Sequence, residues 1–356
     1  MNGPDTSRPT RLPEPGDWAS SPPPGIAEDE AARLVETEYG RPVRATALYA
    51  ERDANFRLDF EDGTQGVLKV SHQDTDPATV DLQVRALLHV EQTDVQLAVP
   101  RTLLSRDGRS VISWTDSEGT PHLVRVMSWL DGRALALDSA PEKARRHAGR
   151  FLARLGHALR DCDPSGVSTD LPWDLTLFSN LRPLIRFVDD AQLIDIAERC
   201  FDRFEESRPF ASGTVESQLI HNDFNPDNVL FDTEDPVRVS GVIDFSDMVE
   251  APLICDLAIA CAYLIRPSGD PVRDIEPMVR GYHSIHPLAL DQLDLLLQLV
   301  ECRLMTTLLI QAARAASIVD DPHDFGGSSR EAGVRLRRLA EVDAAGATRY
   351  LKETCS

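Results

Sequence analysis

Between Val43 and Val70 apolar and polar positions alternate. Phe56, Leu58 and Phe60 share one face, Arg57 and Asp59 the other, Asp62-Gly63 marks a turn, and Val67-Leu68-Lys69-Val70 returns. A period of two with a turn between predicts an antiparallel hairpin with one buried face. Before it, Ala32, Leu34 and Val35 among acidic residues predict a first helix over 27–39, ended by Gly40. After it come a helix over 77–91, the Val99-Pro100 break, and two short strands, SVISW and HLVRVMSW.

Beyond Leu130 the period lengthens. Ser139, Pro141 and Glu142 have capping-box spacing, and Ala148, Phe151, Leu152, Leu155 and Leu159 then recur on one helical face. Helices are expected over 181–208, in the apolar run DLAIACAYLI, and over 288–316 and 331–352, with a turn-rich break at 320–329. Leu219-Ile220, Val229-Leu230-Phe231 and Gly241-Val242-Ile243 predict strands of one small hairpin sheet. Residues 1–25 hold seven of the 24 prolines without periodicity, the composition of a disordered tail. The chain is thus an α+β protein with a small antiparallel-sheet lobe over 26–130 and a mainly helical lobe over 131–356.

Composition narrows the partners. A length of 356 residues, 42% apolar, supports two packed lobes. The net charge of -21 argues against nucleic acid or anionic membrane as partner and suits a small cationic substrate. No apolar run reaches the ~18 residues of a membrane span: Asp256 interrupts one candidate, Glu301 and Arg303 the other. No secretory signal opens the chain, and six cysteines without metal or disulfide spacing point to a reducing cytoplasm.

The chemistry concentrates in LIHNDFNPDNVLFDTEDPVRVSGVIDFSDM, residues 219–248, whose polar residues fall on loops at strand ends. Asp223 and Asn228 have the D-x-x-x-x-N spacing of a phosphoryl-transfer loop, and Asp244-Phe245-Ser246 stands where such enzymes carry a metal-binding Asp-Phe-Gly. That chemistry needs a carboxylate to orient the acceptor hydroxyl and two oxygen ligands to hold Mg2+ on the phosphates. Asp223 is the candidate base, Asn228 and Asp244 the candidate metal ligands. His221 is read as a structural hydrogen-bonding residue, and Asp256, at the start of an apolar helix, as a support for the loop.

HNDFNPDNVLF followed by GVIDFSDM resembles the aminoglycoside phosphotransferase and choline kinase superfamily, and GVLKVS, LVRVMSWLDGRAL and LPWDL narrow the resemblance to its hydroxylysine kinase branch, over residues 35 to 315. The resemblance implies a protein-kinase-like bilobal fold. It makes Lys69 the lysine on the nucleotide's α/β-phosphates, held by an acid on the next helix, for which Asp81 is favoured with Gln83 two positions on. The backbone from Met127 through Trp129 to Leu130 would read the base. The loop over 49–56 has no glycine, so phosphate contacts there would fall to Arg52, Asn55 or main chain.

For the acceptor, the resemblance offers Trp173 as a substrate-facing aromatic, Arg303 as the anchor of a carboxylate, and Asp174, Asp247 or Glu250 as partners of an ammonium. It implies a Mg2+-dependent kinase moving the γ-phosphoryl of ATP or GTP to a hydroxyl of a small amino alcohol or hydroxy amino acid, 5-hydroxylysine or an analogue. An antibiotic phosphotransferase, acting on an aminoglycoside or cationic peptide, would use the same machinery with a wider acidic cleft. A non-catalytic nucleotide-binding pseudokinase is disfavoured, since Lys69, Asp223, Asn228 and Asp244 are all retained.

Overall fold

A computed structural model describes residues 23–50, 52–210, 216–317 and 324–355, so the expected tail lies, up to residue 22, outside the described residues. Helix α1 (Glu28–Tyr39) carries three acids in its first turn, where they favour the helix dipole, and closes at Gly40, whose φ of 70° suits a residue without Cβ. The alternating stretch forms β1 (Val43–Leu48), β2 (Ala54–Phe60) and β3 (Gln65–Val70). With β4 (Thr102–Leu103), β5 (Ile112–Thr115) and β6 (Pro121–Ser128) they build an antiparallel sheet in the order β1-β2-β3-β6-β4, β5 also pairing with β6. In its register Lys69 stands opposite Asn55 on one side and Arg125 on the other.

Phe56, Leu58, Phe60, Leu68, Val124 and Val126 of the sheet pack with Ala31 and Val35 of α1 into the small lobe's own core. Helix α2 (Pro77–Thr93), capped by Asp76 on the Ala78 amide, behaves differently. Its Leu82, Ala86, Leu87 and Val90 belong to the core of the large lobe, together with Leu97 and Val99. Burying the leucine and valine side chains there contributes roughly 1.5–3 kcal/mol each, so α2 is fastened to the large lobe although it follows a small-lobe strand.

The large lobe begins with β7 (Arg133–Ala134) and α3 (Glu142–Leu159). Pro141 occupies the N-cap of α3 and no side chain caps it; Ser139 bonds Ala136 O instead, so the expected capping box does not form. Helix α3 lies against α6 (Pro271–His283) closely enough that a Cβ on Gly149 would fall 2.1 Å from Met278 O, and one on Gly281 2.0 Å from Arg146 O. A 3-10 segment (Leu175–Phe187), α4 (Ala191–Ser207), α5 (Leu253–Ala262) and α7 (Leu290–Ser317) complete the core; α8 (Phe325–Ala340) and α9 (Ala344–Thr354) divide the expected 331–352 helix in two.

The expected single hairpin sheet is two. β9 (Val229–Phe231) pairs with β10 (Val239–Val242) and β7, whereas β8 (Ser217–Ile220) pairs with β11 (Val249–Pro252). Residues 221–228 fold into turns of their own, with Asn225 N on Asp223 O and Val229 N on Asn225 O, and carry the chain away from β8 before β9 starts. Among the described residues no helix is long and apolar enough to cross a membrane.

Candidate active site

The loop between β8 and β9 is held from beneath. Asp256, buried in the first turn of α5, accepts from the His221 amide (3.2 Å) and the Asn222 amide (2.8 Å). It is therefore a strut for the loop, as its place at the start of an apolar helix suggested, while the N-cap of α5 is Pro252. His221 is fully buried, bonds Ile243 O through Nε2 (3.1 Å) and sets its ring edge against Phe245. Asn222 (φ 63°) and Asp244 (φ 58°) both take the left-handed conformation that non-glycine residues avoid, a strain that persists where surrounding contacts impose it.

Asp223 emerges from this support. Its Oδ2 accepts from Asn228 Nδ2 (2.6 Å), and its Oδ1 from Asn225 Nδ2 (2.8 Å) and Arg303 Nη2 (3.3 Å). Burial pushes its carboxyl up; Arg303 and His221 pull it down without cancelling the rise. A carboxylate fixed from three sides, with a raised proton affinity, suits a group that orients a hydroxyl and takes its proton.

Lys69 crosses from β3 to meet Asp244 at 3.1 Å. Burial alone would raise the Asp244 carboxyl, but Lys69 and Ser246 outweigh it and hold the group well below the usual carboxylate range. Lys69 Nζ, Ser246 N and Ser246 Oγ all donate to Oδ1, which leaves Oδ2 for another ligand. Asn228 spends its Nδ2 on Asp223 O and Oδ2, so its amide oxygen is the atom it can offer. One carboxylate oxygen and one amide oxygen are hard donors of the kind Mg2+ takes. Among the described residues no three His, Cys, Asp or Glu are grouped to hold a metal unaided, so phosphate oxygens and water would complete such a site.

These groups line one cleft of about 2300 Å3 between the lobes. On its large-lobe wall Arg303 of α7 is buried, its guanidinium 4.8 Å over the Trp173 ring and 3.2 Å from Tyr263 Oη. Burial would lower its proton affinity, yet Tyr263, Asp223 and Asp247 raise it, so the group stays charged. Its Nε and Nη1 are buried without a partner in the protein. Trp173 and Asp247 line the cleft beside it.

Several expected residues sit elsewhere or do other work. Asp81 is exposed and pairs with Arg85 one turn along α2 (2.8 Å), a solvent-face i,i+4 pair; the carboxylate on Lys69 is that of Asp244. The α2 side chain that faces inward is Gln83, and it bonds Arg125. Asp174 is buried as the cap of the 3-10 segment, its Oδ1 accepting from Thr176 N and Oγ1 (both 2.8 Å), and it is not among the residues lining the cleft. Glu250 lies exposed on β11, outside the cleft lining. At the hinge Met127 and Trp129 both line the cleft, but the amides of Ser128 and Trp129 already donate to Arg101 O (2.8 Å) and Gln65 O (3.2 Å). Backbone contact with a base is thereby narrowed toward carbonyls and the start of the 130s. Sequence reasoning missed Tyr263 and Arg125; the one signal for Arg125 was a charged residue enclosed by Val124 and Val126.

Comparison with known proteins identifies relatives of the chain as a whole. The model of a family described as phosphotransferase enzymes matches residues 50–296. A hydroxylysine kinase from Danio rerio is 25% identical over 331 residues, covering 90% of this chain and 93% of its own, and a homoserine kinase from Paramagnetospirillum magneticum is 28% identical over 298 residues, covering 81% and 86%. Among solved structures, a microcompartment-associated aminopropanol kinase superposes with a TM-score of 0.67 at 20% identity, covering 91% of this chain and 98% of its own. An amicoumacin kinase in complex with AMP-PNP, Ca2+ and Ami reaches 0.66 at 15% identity, covering 90% and 95%. At those identities the two structures speak for the fold alone.

Proposed function

Since the chain belongs to the phosphotransferase enzyme family, we propose that it is a Mg2+-dependent cytoplasmic kinase that moves the γ-phosphoryl of ATP or GTP to the hydroxyl of a small cationic hydroxy amino acid or amino alcohol, 5-hydroxylysine or a close analogue. The observation that carries this is the approach of Lys69 to Asp244 (3.1 Å) across the cleft from the Asp223–Asn228 pair (2.6 Å). A lysine from the small-lobe sheet thus joins three side chains of one large-lobe stretch in the kind of arrangement phosphoryl transfer requires.

The chain's own residues have distinct tasks. Asp223 orients the acceptor hydroxyl and takes its proton as the oxygen bonds to the γ-phosphorus and the bond to the departing diphosphate breaks. Lys69 neutralises the α/β-phosphates. Asn228 and Asp244 would hold Mg2+, whose charge offsets that of the phosphates. Met127 and Trp129 flank the base. On the acceptor side Arg303 receives a carboxylate and Asp247 an ammonium, with Trp173 packed beneath the guanidinium. An excess of acids in the lining, including Asp74, Asp76, Asp170, Asp227 and Glu331, favours a cationic acceptor.

A panel of hydroxy amino acids and amino alcohols, assayed with ATP and with GTP in the presence of Mg2+, tests the reading. Phosphorylation of 5-hydroxylysine or a near analogue supports it; nucleotide binding without phosphorylation of any member sinks it. The breadth of the acidic cleft favours one second reading, an antibiotic phosphotransferase. A resistance assay in cells expressing the chain separates the two.

A further inference from the structure

We propose that Arg125 is a second phosphate-binding cation, acting beside Lys69 on the nucleoside triphosphate; this rests on the kinase reading and extends it. Arg125 is 2% exposed and lines the inner end of the cleft with Lys69, Ser71, Gln83 and Asp53. Its guanidinium donates to Ser71 Oγ (3.0 Å) and Gln83 Oε1, both neutral. Among the described residues no carboxylate comes within ion-pair distance of it. The other enclosed arginine of the cleft, Arg303, has the Asp223 carboxylate at 3.3 Å. A buried cation without a counter-ion is costly, and proteins seldom keep one that nothing neutralises.

The sheet makes the imbalance worse. Lys69 and Arg125 are direct partners in the antiparallel β3–β6 register and therefore share a face. Like charges directly opposite on a sheet repel. Lys69 has Asp244, while the acids whose charge reaches Arg125, Asp53 and Asp244, do so only at longer range. An anion with several oxygens, bound where both side chains can donate, satisfies the two at once. The loop over 49–53 contains no glycine, so it lacks a glycine-rich amide cradle and leaves room for side-chain cations on the phosphates. Burial pulls the proton affinity of Arg125 down, as expected of a cation whose counter-ion has yet to arrive.

The rival account makes Arg125 a structural tie between β6 and α2, through Gln83. Calorimetric titration of AMP-PNP and GMP-PNP, and of adenosine and guanosine, into the whole protein separates the accounts. Arg125→Gln should weaken triphosphate binding by roughly 10- to 100-fold, the scale of a lost charge-assisted hydrogen bond, and leave nucleoside binding unchanged. Arg125→Lys should recover part of that loss. Gln83→Met, which cuts the tie and keeps the cation, should retain the triphosphate preference. An unchanged ratio of triphosphate to nucleoside affinity in Arg125→Gln, or the same loss in Gln83→Met, overturns the proposal. If neither triphosphate binds the wild-type protein, the kinase reading falls and this inference with it. Should Arg125→Gln not fold, a wild-type AMP-PNP or GMP-PNP complex decides: a phosphate oxygen within hydrogen-bond reach of the guanidinium supports the assignment, and its absence refutes it.

Discussion

Two arginines face the same cleft from opposite lobes, each 2% exposed, and their surroundings differ in kind. Arg303 has the Asp223 carboxylate and the Tyr263 hydroxyl within bonding distance and an aromatic ring beneath it, and it is held charged despite burial. Arg125 has a serine and a glutamine, and burial weakens its hold on its proton. Degree of burial therefore says little about what an enclosed guanidinium does; its counter-ion says more. On the large-lobe wall the counter-ion is the residue proposed as base, already present. On the small-lobe wall it is proposed to arrive with the nucleotide.

The most severe way to break the contrast is Asp223→Asn, which leaves Arg303 as short of a carboxylate as Arg125. Loss of the proposed base should lower kcat by roughly 10²- to 10⁴-fold; near-normal turnover would reject the assignment. Next comes Arg303→Met. The KM for a carboxylate-bearing acceptor should rise by roughly 10- to 100-fold, while the corresponding amino alcohol, lacking the carboxylate, should be nearly unaffected. Equal losses for the two acceptors would remove Arg303 from acceptor recognition. The same variant should move the acidic limb of the kcat–pH profile upward, because Arg303 is the strongest influence opposing the raised proton affinity of Asp223.

A smaller effect concerns the other ion pair. The Asp244 carboxyl is depressed below its ordinary 3.8, so the folded state binds fewer protons there than the unfolded state does. The stability this confers is complete above that value and is lost as pH falls through the folded-state value. Lys69→Met removes a cation that depresses it and should weaken that acid-side dependence, seen as melting temperature against pH; an unaltered profile would mean that the pair is not felt. The smallest effect belongs to Asp81→Ala. As an exposed i,i+4 pair with Arg85 it should be worth no more than about 0.5 kcal/mol, with nucleotide affinity unchanged, whereas a large loss of affinity would restore it as a partner of Lys69.

The legible parts of the sequence were the locally determined ones. The alternation around Phe56, Leu58 and Phe60 marked the sheet, and a single 30-residue stretch carried Asp223, Asn228 and Asp244 with their turns. What escaped depends on contacts far along the chain. Whether Asp81 or Gln83 faces inward is a matter of how α2 rotates against the large-lobe core, and those two positions lie on opposite sides of the helix. Asp174 could be a cap or a ligand from sequence alone; the fold makes it the cap of the 3-10 segment, outside the cleft lining. The pairing of β8 with β11 spans the whole catalytic stretch, and no local turn signals it. Arg125, lying between valines on a strand, has the same sequence signature as a residue pointing to water.

The attachment of α2 has a mechanical corollary. Its apolar side is rooted in the large lobe, whereas Val124 and Val126 of β6 pack in the small-lobe core and only Met127, at the end of that strand, reaches the large-lobe one. Among the described residues the hydrogen bond from Arg125 to Gln83 spans that boundary, so it ties the sheet to a helix seated on the opposite lobe.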